Sequence, residues 1–318
     1  MGIISIEDRK IPTEFLLYIL KKGITELKLK HCEILPPRVP RAKLSKSMGL
    51  KTLIIDLTVV DETLVEEMIS SRSIEKLALR DCTNNSLPLI PRNISRIGMK
   101  LKTLNLGNLL RYGKKYYLRS TSLIVNSCRN LEELNLNVNS FSTDAVEYLC
   151  ENLTPTILKL DLKAIQYASY DRNLGMGLPD ELARKVGLTD KNLGALVKRC
   201  PKLRVLDICD NDNVTYQGLL AISNGLHFLE YLGLPTSVGI EFGLPQFTWI
   251  EFPVCKFQML PYTLQVHKMQ PLKLMKTLKE ISLSHEMPYP EELQSLLRKE
   301  IPQLFLEQSD DSSESNFT

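Results

Sequence analysis

Residues 128–149 read CRNLEELNLNVNSFSTDAVEYL, and the reading of this stretch decides the fold. Leu131, Leu134 and Leu136 form the phrase L-x-x-L-x-L. Its last two leucines alternate with period two, so they point to one side of a short strand while the residues beside them point to the other. Ser142-Thr143-Asp144 then gives a polar helix start, and Ala145, Val146 and Leu149 follow at helical spacing. The unit is strand, turn, helix, and it has more apolar surface than it can bury alone.

The same phrase returns on both sides of this stretch. It stands at Ile24/Leu27/Leu29, Leu50/Leu53/Ile55, Ile74/Leu77/Leu79 and Leu101/Leu104/Leu106 before it. After it come Ile157/Leu160/Leu162, Leu203/Leu206/Ile208, Leu229/Leu232/Leu234, Leu278/Ile281/Leu283 and Ile301/Leu304/Leu306. Successive copies begin 23 to 30 residues apart, except for steps of 46 after Ile157 and 49 after Leu229. A beat of about 20–29 residues is that of a leucine-rich repeat. The expected fold is an α/β leucine-rich-repeat solenoid, a horseshoe with parallel strands on its concave face and helices on its convex face, because each unit hides its apolar side only against its neighbours.

Cysteine placement agrees with the repeat. Cys32 and Cys82 stand three residues after the last leucine of their strands, where Asn139 and Asn211 stand in theirs. A side chain in that slot faces inward and bonds the backbone of the adjacent turn. Cys128 and Cys200 precede the next strand, and Cys150 ends a helical segment, so these five read as buried structural thiols. Seven cysteines, odd in number and without a CxxC pair, argue against a disulfide framework and against a zinc site.

Composition sets wider bounds. With 43% hydrophobic and 24% charged residues the chain resembles neither a disordered nor a membrane protein. The most apolar stretch, 234–255, is broken by Glu241, Glu251 and three prolines, so no membrane partner is expected. The opening MGIISIEDRK lacks a charged segment followed by an apolar run, which points to a cytoplasmic or nuclear address. A net charge of +3 is too slight to name a partner.

Two segments carry more than the generic repeat, Cys128–Leu149 and Val186–Ile222 (VGLTDKNLGALVKRCPKLRVLDICDNDNVTYQGLLAI). The pattern C-x-x-L-x-x-L-x-L-x-x-[CN]-x-x-[IVLF]-[ST]-x-x-[GA] is legible in both. This resembles the cysteine-containing repeat of the F-box and leucine-rich-repeat family, across residues 24–306. The resemblance implies a substrate-recognition or adaptor subunit of an SCF-type (cullin-RING) ubiquitin ligase. The alternative is a leucine-rich-repeat scaffold unrelated to ubiquitin. Residues 11–20, IPTEFLLYIL, resemble the opening of an F-box, with Phe15, Leu16, Ile19 and Leu20 as an apolar stripe. The first repeat strand begins at Ile24, which leaves no room for the remaining F-box helices. Residues 1–23 are accordingly expected to be a capping helix, 24–308 the solenoid and 309–318, SDDSSESNFT, a disordered acidic tail.

Partner contacts are expected at the positions between and beside the strand leucines. They are Lys28, Lys30, Lys76, Arg80, Asn105, Glu133, Asn135, Asn137, Lys159, Asp161, Asp207 and Tyr231, joined by Glu26, Lys163 and Glu280. The early part of this field reads as mostly basic, suited to an acidic or phosphorylated protein segment. Three insertions, near 107–127, 163–187 and 235–277, interrupt the beat. The first contains Arg111–Arg119, whose basic residues and tyrosines are a weak nucleic-acid signal. In the third, Phe247, Ile250 and Phe252 echo the phrase, so it is either a degenerate eleventh repeat or a loop whose Trp249 and Phe257 serve as anchors. Isolated histidines at 31, 227, 267 and 285, and the lack of phosphate-binding glycine motifs, give no expectation of catalysis, of a cofactor or of a metal.

Overall fold

The leucines of the repeated phrase are withdrawn from water in nearly every copy, and strands form where they stand. In the computed structural model Leu27, Leu53, Leu77, Leu104, Leu134, Leu160, Leu206 and Leu232 are all at 0% exposure. Burying one leucine fully is worth about 2 kcal/mol, so a column of them is the main force holding strand on strand. The structure describes residues 2–36, 49–60, 62–69, 73–80, 82, 90–107, 118–136, 142–163, 187–211, 213–235, 237–238, 247–250, 256–259, 265–283, 295, 298–299, 302 and 305–307. The chain divides into two compact units, Met1–Leu160 and Asp161–Thr318.

Unit 1 contains strands β1 (Ile3–Glu7), β2 (Lys10–Pro12), β3 (Glu26–Lys30), β4 (Glu33–Leu35), β5 (Thr52–Asp56), β6 (Lys76–Arg80), β7 (Thr103–Asn105) and β8 (Glu133–Asn135). Strand β9 (Lys159–Asp161) falls at the division. The helices are α1 (Thr13–Lys21), α2 (Glu62–Ile69), α3 (Ile90–Ile97), α4 (Leu118–Ser127) and α5 (Thr143–Asn152). The order of the main sheet is β1-β3-β5-β6-β7-β8-β9. Pairing from β1 through β8 is parallel and in register, so Leu27, Leu53, Leu77, Leu104 and Leu134 fall on one line. Helices α3, α4 and α5 pack side by side, as the strands do. The first two repeats add a second, two-stranded parallel sheet, β2 with β4.

Unit 2 contains β10 (Val205–Asp207), β11 (Tyr231–Leu234), β12 (Phe247–Ile250), β13 (Lys256–Met259), β14 (Glu280–Leu283) and β15 (Phe305–Glu307). Its helices are α6 (Asp190–Arg199), α7 (Tyr216–Gly225) and α8 (Gln270–Leu274). The order is β9-β10-β11-β14-β15, with parallel pairing of β10, β11, β14 and β15. Thr189 caps α6: its hydroxyl accepts the Asn192 N–H at 3.3 Å, and the Asn192 side chain accepts the Thr189 N–H at 3.0 Å. The Asp190 carboxylate then accepts both the N–H and the hydroxyl of Thr215, at 2.8 and 2.7 Å, tying one repeat's helix start to the next.

Each of the ten copies has a strand in the parallel sheet, although the last pairs two residues away from the expected register, with Leu306 rather than Leu304 beside Ile281, and the fold is an α/β leucine-rich repeat. Three expectations change. Residues 1–23 are more than a capping helix: Ile3–Glu7 forms a strand parallel to β3, and the helix starts only at Thr13. Along that helix Leu16, Ile19 and Leu20 are buried, but Phe15 is 49% exposed and lies off the apolar stripe. The 235–277 segment is not an eleventh repeat, because β12 pairs with β13 antiparallel in a sheet of their own. Residues 309–318 and most of Arg111–Arg119 lie outside the described residues.

The turn slot behaves as its chemistry requires. The Cys32 thiol donates to the carbonyls of Ile6 at 3.4 Å and Lys30 at 3.2 Å, and Cys82 to those of Ile55 and Arg80 at 3.5 Å. Asn211, in the same slot, donates to Leu162, Ile208 and Cys209 carbonyls at 2.9–3.1 Å. Each reaches back to the preceding strand and so closes one repeat onto another. Burial pushes the thiols of Cys128 and Cys200 up to about 12, which makes them inert rather than nucleophilic.

Candidate functional site: the strand faces

The residues between the buried leucines line up in rows, because the strands pair in register. In unit 1 one row is Ser5, Lys28, Ile54, Ala78, Asn105 and Asn135. A second is Ile3, Glu26, Thr52, Lys76, Thr103 and Glu133. A third, at the strand ends, is Glu7, Lys30, Asp56 and Arg80. The register thus assembles Lys28, Lys30, Lys76, Arg80, Asn105, Glu133, Asn135 and Lys159 on one face, as the sequence implies; Asn137 lies outside the described residues.

That face is charge-compensated rather than basic. Lys28 pairs with Glu26 at 2.8 Å, Lys30 with Glu7 at 3.3 Å, Arg80 with Asp56 at 2.7 Å and Lys159 with Glu133 at 3.1 Å. Most of the pairs join neighbouring strands, since opposite charges in one row sit about 5 Å apart. The Asp56–Arg80 pair is the most enclosed, with side chains 13% and 29% exposed. One position earlier in the phrase, further opposite charges meet: Lys51 with Glu75 at 3.3 Å and Lys102 with Glu132 at 3.6 Å.

Unit 2 presents a different surface. Asp207, Gly233, Ser282 and Glu307 share the row between the leucines, and Asp161 takes the same slot on β9. The neighbouring row is Val205, Tyr231, Glu280 and Phe305. In the L-x-L slots of these strands no lysine or arginine stands among the described residues; Lys163 follows at the exit of β9. Asp161 is 8% exposed, and burial, then the Asp207 charge, raises its carboxyl to about 8 against the pull of the Lys163 N–H and ammonium. The Lys163 ammonium is held up by Cys209, Asp207, Asp210 and Asp161, which outweigh the lowering effect of its burial. Outside the row, Glu230 is held below the usual carboxylate range by a hydrogen bond from Lys279, at 2.7 Å, and by Arg204.

Several residues expected as contacts also have local work. Asn105 Oδ1 accepts the Gly107 N–H at 2.9 Å, Asp161 Oδ1 that of Lys163 at 2.9 Å, and Asp207 Oδ1 that of Cys209 at 3.0 Å. These are Asx turns that bend the chain out of each strand. Sequence reading missed this use, although the signal is present: Asn or Asp recurs one residue before the last leucine of the phrase. Among the described residues no group of three or more His, Cys, Asp or Glu is placed to hold a metal. No helix among them is long and apolar enough to cross a membrane.

No family model and no curated protein matches the sequence. Among solved structures the chain is similar to the leucine-rich-repeat protein LegL7 of Legionella pneumophila, at 12% identity over 95% of this chain and 89% of that one, with a TM-score of 0.43. It is also similar to a leucine-rich-repeat protein of Leptospira interrogans, at 16% identity over 90% of each chain, with a TM-score of 0.28. The fold assignment rests on this chain's own leucine columns and strand register.

Proposed function

We propose that the chain is a protein-binding module whose partner docks on the strand faces. The observation that carries this reading is the division of labour within each strand, where leucines fill the core and the intervening positions form registered rows in which polar residues such as Lys28, Lys76 and Glu133 predominate and Ile54 and Ala78 are the apolar interruptions in unit 1. Because Lys28, Lys30, Arg80 and Lys159 already have carboxylates beside them, the partner is recognised by shape and by paired polar groups. An acidic or phosphorylated segment would have to displace Glu7, Glu26, Asp56 and Glu133 from their cations. Bait carrying Lys76→Glu in unit 1 or Tyr231→Ala in unit 2 tests this against Arg119→Glu at an exposed position of α4. At least one strand-face change is expected to weaken capture of the wild-type partner tenfold or more, with Arg119→Glu neutral; the reverse pattern contradicts the reading.

The finer reading is a substrate-recognition or adaptor subunit of a cullin-RING ubiquitin ligase, working in the cytoplasm or nucleus. Its support is α1, whose sequence resembles an F-box opening and which leaves Phe15 and Tyr18, one turn apart, 49% and 57% exposed. Deleting the first 22 residues would remove strand β1 as well, so the test is Phe15→Ala with Tyr18→Ala. Cullin, RING and adaptor subunits should co-purify with the wild type and not with the double variant. Recovery of a partner without any ligase subunit favours a scaffold unrelated to ubiquitin.

A further inference from the structure

The slot between the last two apolar positions of the phrase holds Asp207 on β10 and Gly233 on β11, and the register sets them side by side, about 5 Å apart. The glycine decides what the aspartate can do. Asp207 Oδ1 accepts the Cys209 N–H at 3.0 Å, and a Cβ on Gly233 would collide with that oxygen and stand 2.7 Å from Cγ. The carboxylate therefore lies across β11, in space that any other residue would fill. Its turn pins one oxygen, while Oδ2 makes no hydrogen bond or ion pair among the described residues.

The half-buried Tyr231 stands two residues before Gly233 on the same side of β11, about 7 Å along the strand. Glu280 lies opposite it on β14, as Ser282 lies opposite Gly233. Nearby cations are committed elsewhere. Arg204 and Lys279 pair with Glu230, and the Lys163 ammonium acts on Asp207 together with Cys209, Asp210 and Asp161 without forming an ion pair with Asp207. The same slot on β3 and on β5 to β8 holds Lys28, Ile54, Ala78, Asn105 and Asn135, so unit 1 offers no carboxylate in this setting. A carboxylate fixed by its own turn and set beside an aromatic side chain is complementary to a guanidinium. That group is planar, donates N–H bonds to a carboxylate, stacks on a ring and is more weakly hydrated than an ammonium.

We propose that the corner formed by Asp207 and Tyr231 in unit 2 seats an arginine side chain of the protein partner, with the guanidinium donating to Oδ2 and lying on the Tyr231 ring. This rests on the reading of the strand faces as the docking surface and gives the partner a chemistry there. Because the turn orients the carboxylate before the partner arrives, little of its side-chain freedom is lost on binding.

The test follows backbone amide signals of the full chain by NMR during titration with an acetylated, amidated Ser-Arg-Ser-Arg-Ser peptide, and with the same peptide carrying lysine or citrulline in place of arginine. Citrulline keeps the planar head and loses the charge. The arginine peptide is expected to shift the amides of Asp207, Tyr231 and Gly233, the lysine peptide to bind several-fold more weakly and the citrulline peptide not to bind. Asp207→Asn keeps the acceptor for the turn and should weaken the arginine peptide by at least about tenfold. Glu151→Gln, which removes the same charge from an exposed position of α5, should leave it unchanged. The proposal is overturned by shifts that avoid Gly233 at millimolar peptide, by equal binding of the citrulline peptide, or by full-strength binding to folded Asp207→Asn. If that variant does not fold, the wild-type maps with the three peptides still decide. Partner capture that falls with Lys76→Glu or Tyr231→Ala but not with Asp207→Asn removes the arginine seat and leaves strand-face docking standing; capture indifferent to all three removes both.

Discussion

Each unit is built on a ladder of buried leucines, and the two carry opposite electrostatic solutions. In unit 1 the strand-face cations Lys28, Lys30, Arg80 and Lys159 each meet a carboxylate, on the same strand or the next. In unit 2 the matching slots hold Asp161, Asp207 and Glu307, with Glu280 in the row beside them. The core positions do not register the difference: Leu53 and Leu206 are equally buried. The fold is thus written in the leucines and the surface chemistry in the residues between them, and either can change without the other.

The first way to break that comparison is in the core. Leu53→Ala and Leu206→Ala should each cost about 3 kcal/mol, read by urea unfolding, because each leaves a leucine-sized hole in a close-packed column. A large cost in one unit and a negligible one in the other would mean that the ladders are not equivalent.

Next come the turn slots. Asn211→Ala in unit 2 removes the amide NH2 that serves three carbonyls and strands that of Leu162 among others, for about 2 kcal/mol. Cys32→Ala in unit 1 removes a weaker thiol donor and should cost about 1 kcal/mol, most of it lost packing. Equal losses would say that the slot is filled for volume and not for its hydrogen bonds.

Smallest are the charges of unit 1. Asp56→Ala leaves the half-buried Arg80 guanidinium, whose Nε already lacks an acceptor among the described residues, without its carboxylate, at about 1 kcal/mol and with little salt dependence. Lys30→Ala acts on a pair with side chains 46% and 54% exposed, so it should cost under about 0.5 kcal/mol and vanish in high salt.

Ten strands were legible because the apolar beat survives every change of the residues around it. The strand at Ile3–Glu7 was not anticipated, although Met1, Ile4 and Ile6 fit the phrase with methionine in the first slot, 23 residues before Ile24. The hairpin at Phe247–Ile250 and Lys256–Met259 was open to misreading, because an alternating apolar run specifies a strand but not the direction of its partner. Charge compensation stayed hidden for a related reason. Lys30 and Arg80 read as a basic field when taken singly; only the register, which sets Glu7, Lys30, Asp56 and Arg80 in one row, reveals alternating sign. The Asx turns at Asn105, Asp161 and Asp207 need the backbone path beyond the strand, which periodicity does not carry.

Amide hydrogen exchange of the intact chain tests most directly whether the repeated phrases stack strand on strand. The amides of Leu53, Leu77, Leu104 and Leu134 should be among the slowest to exchange and should open together, because each sits in a buried in-register ladder. Exchange at those amides as fast as at Lys202 in the turn before β10, or at rates unrelated from one copy to the next, would contradict the stack.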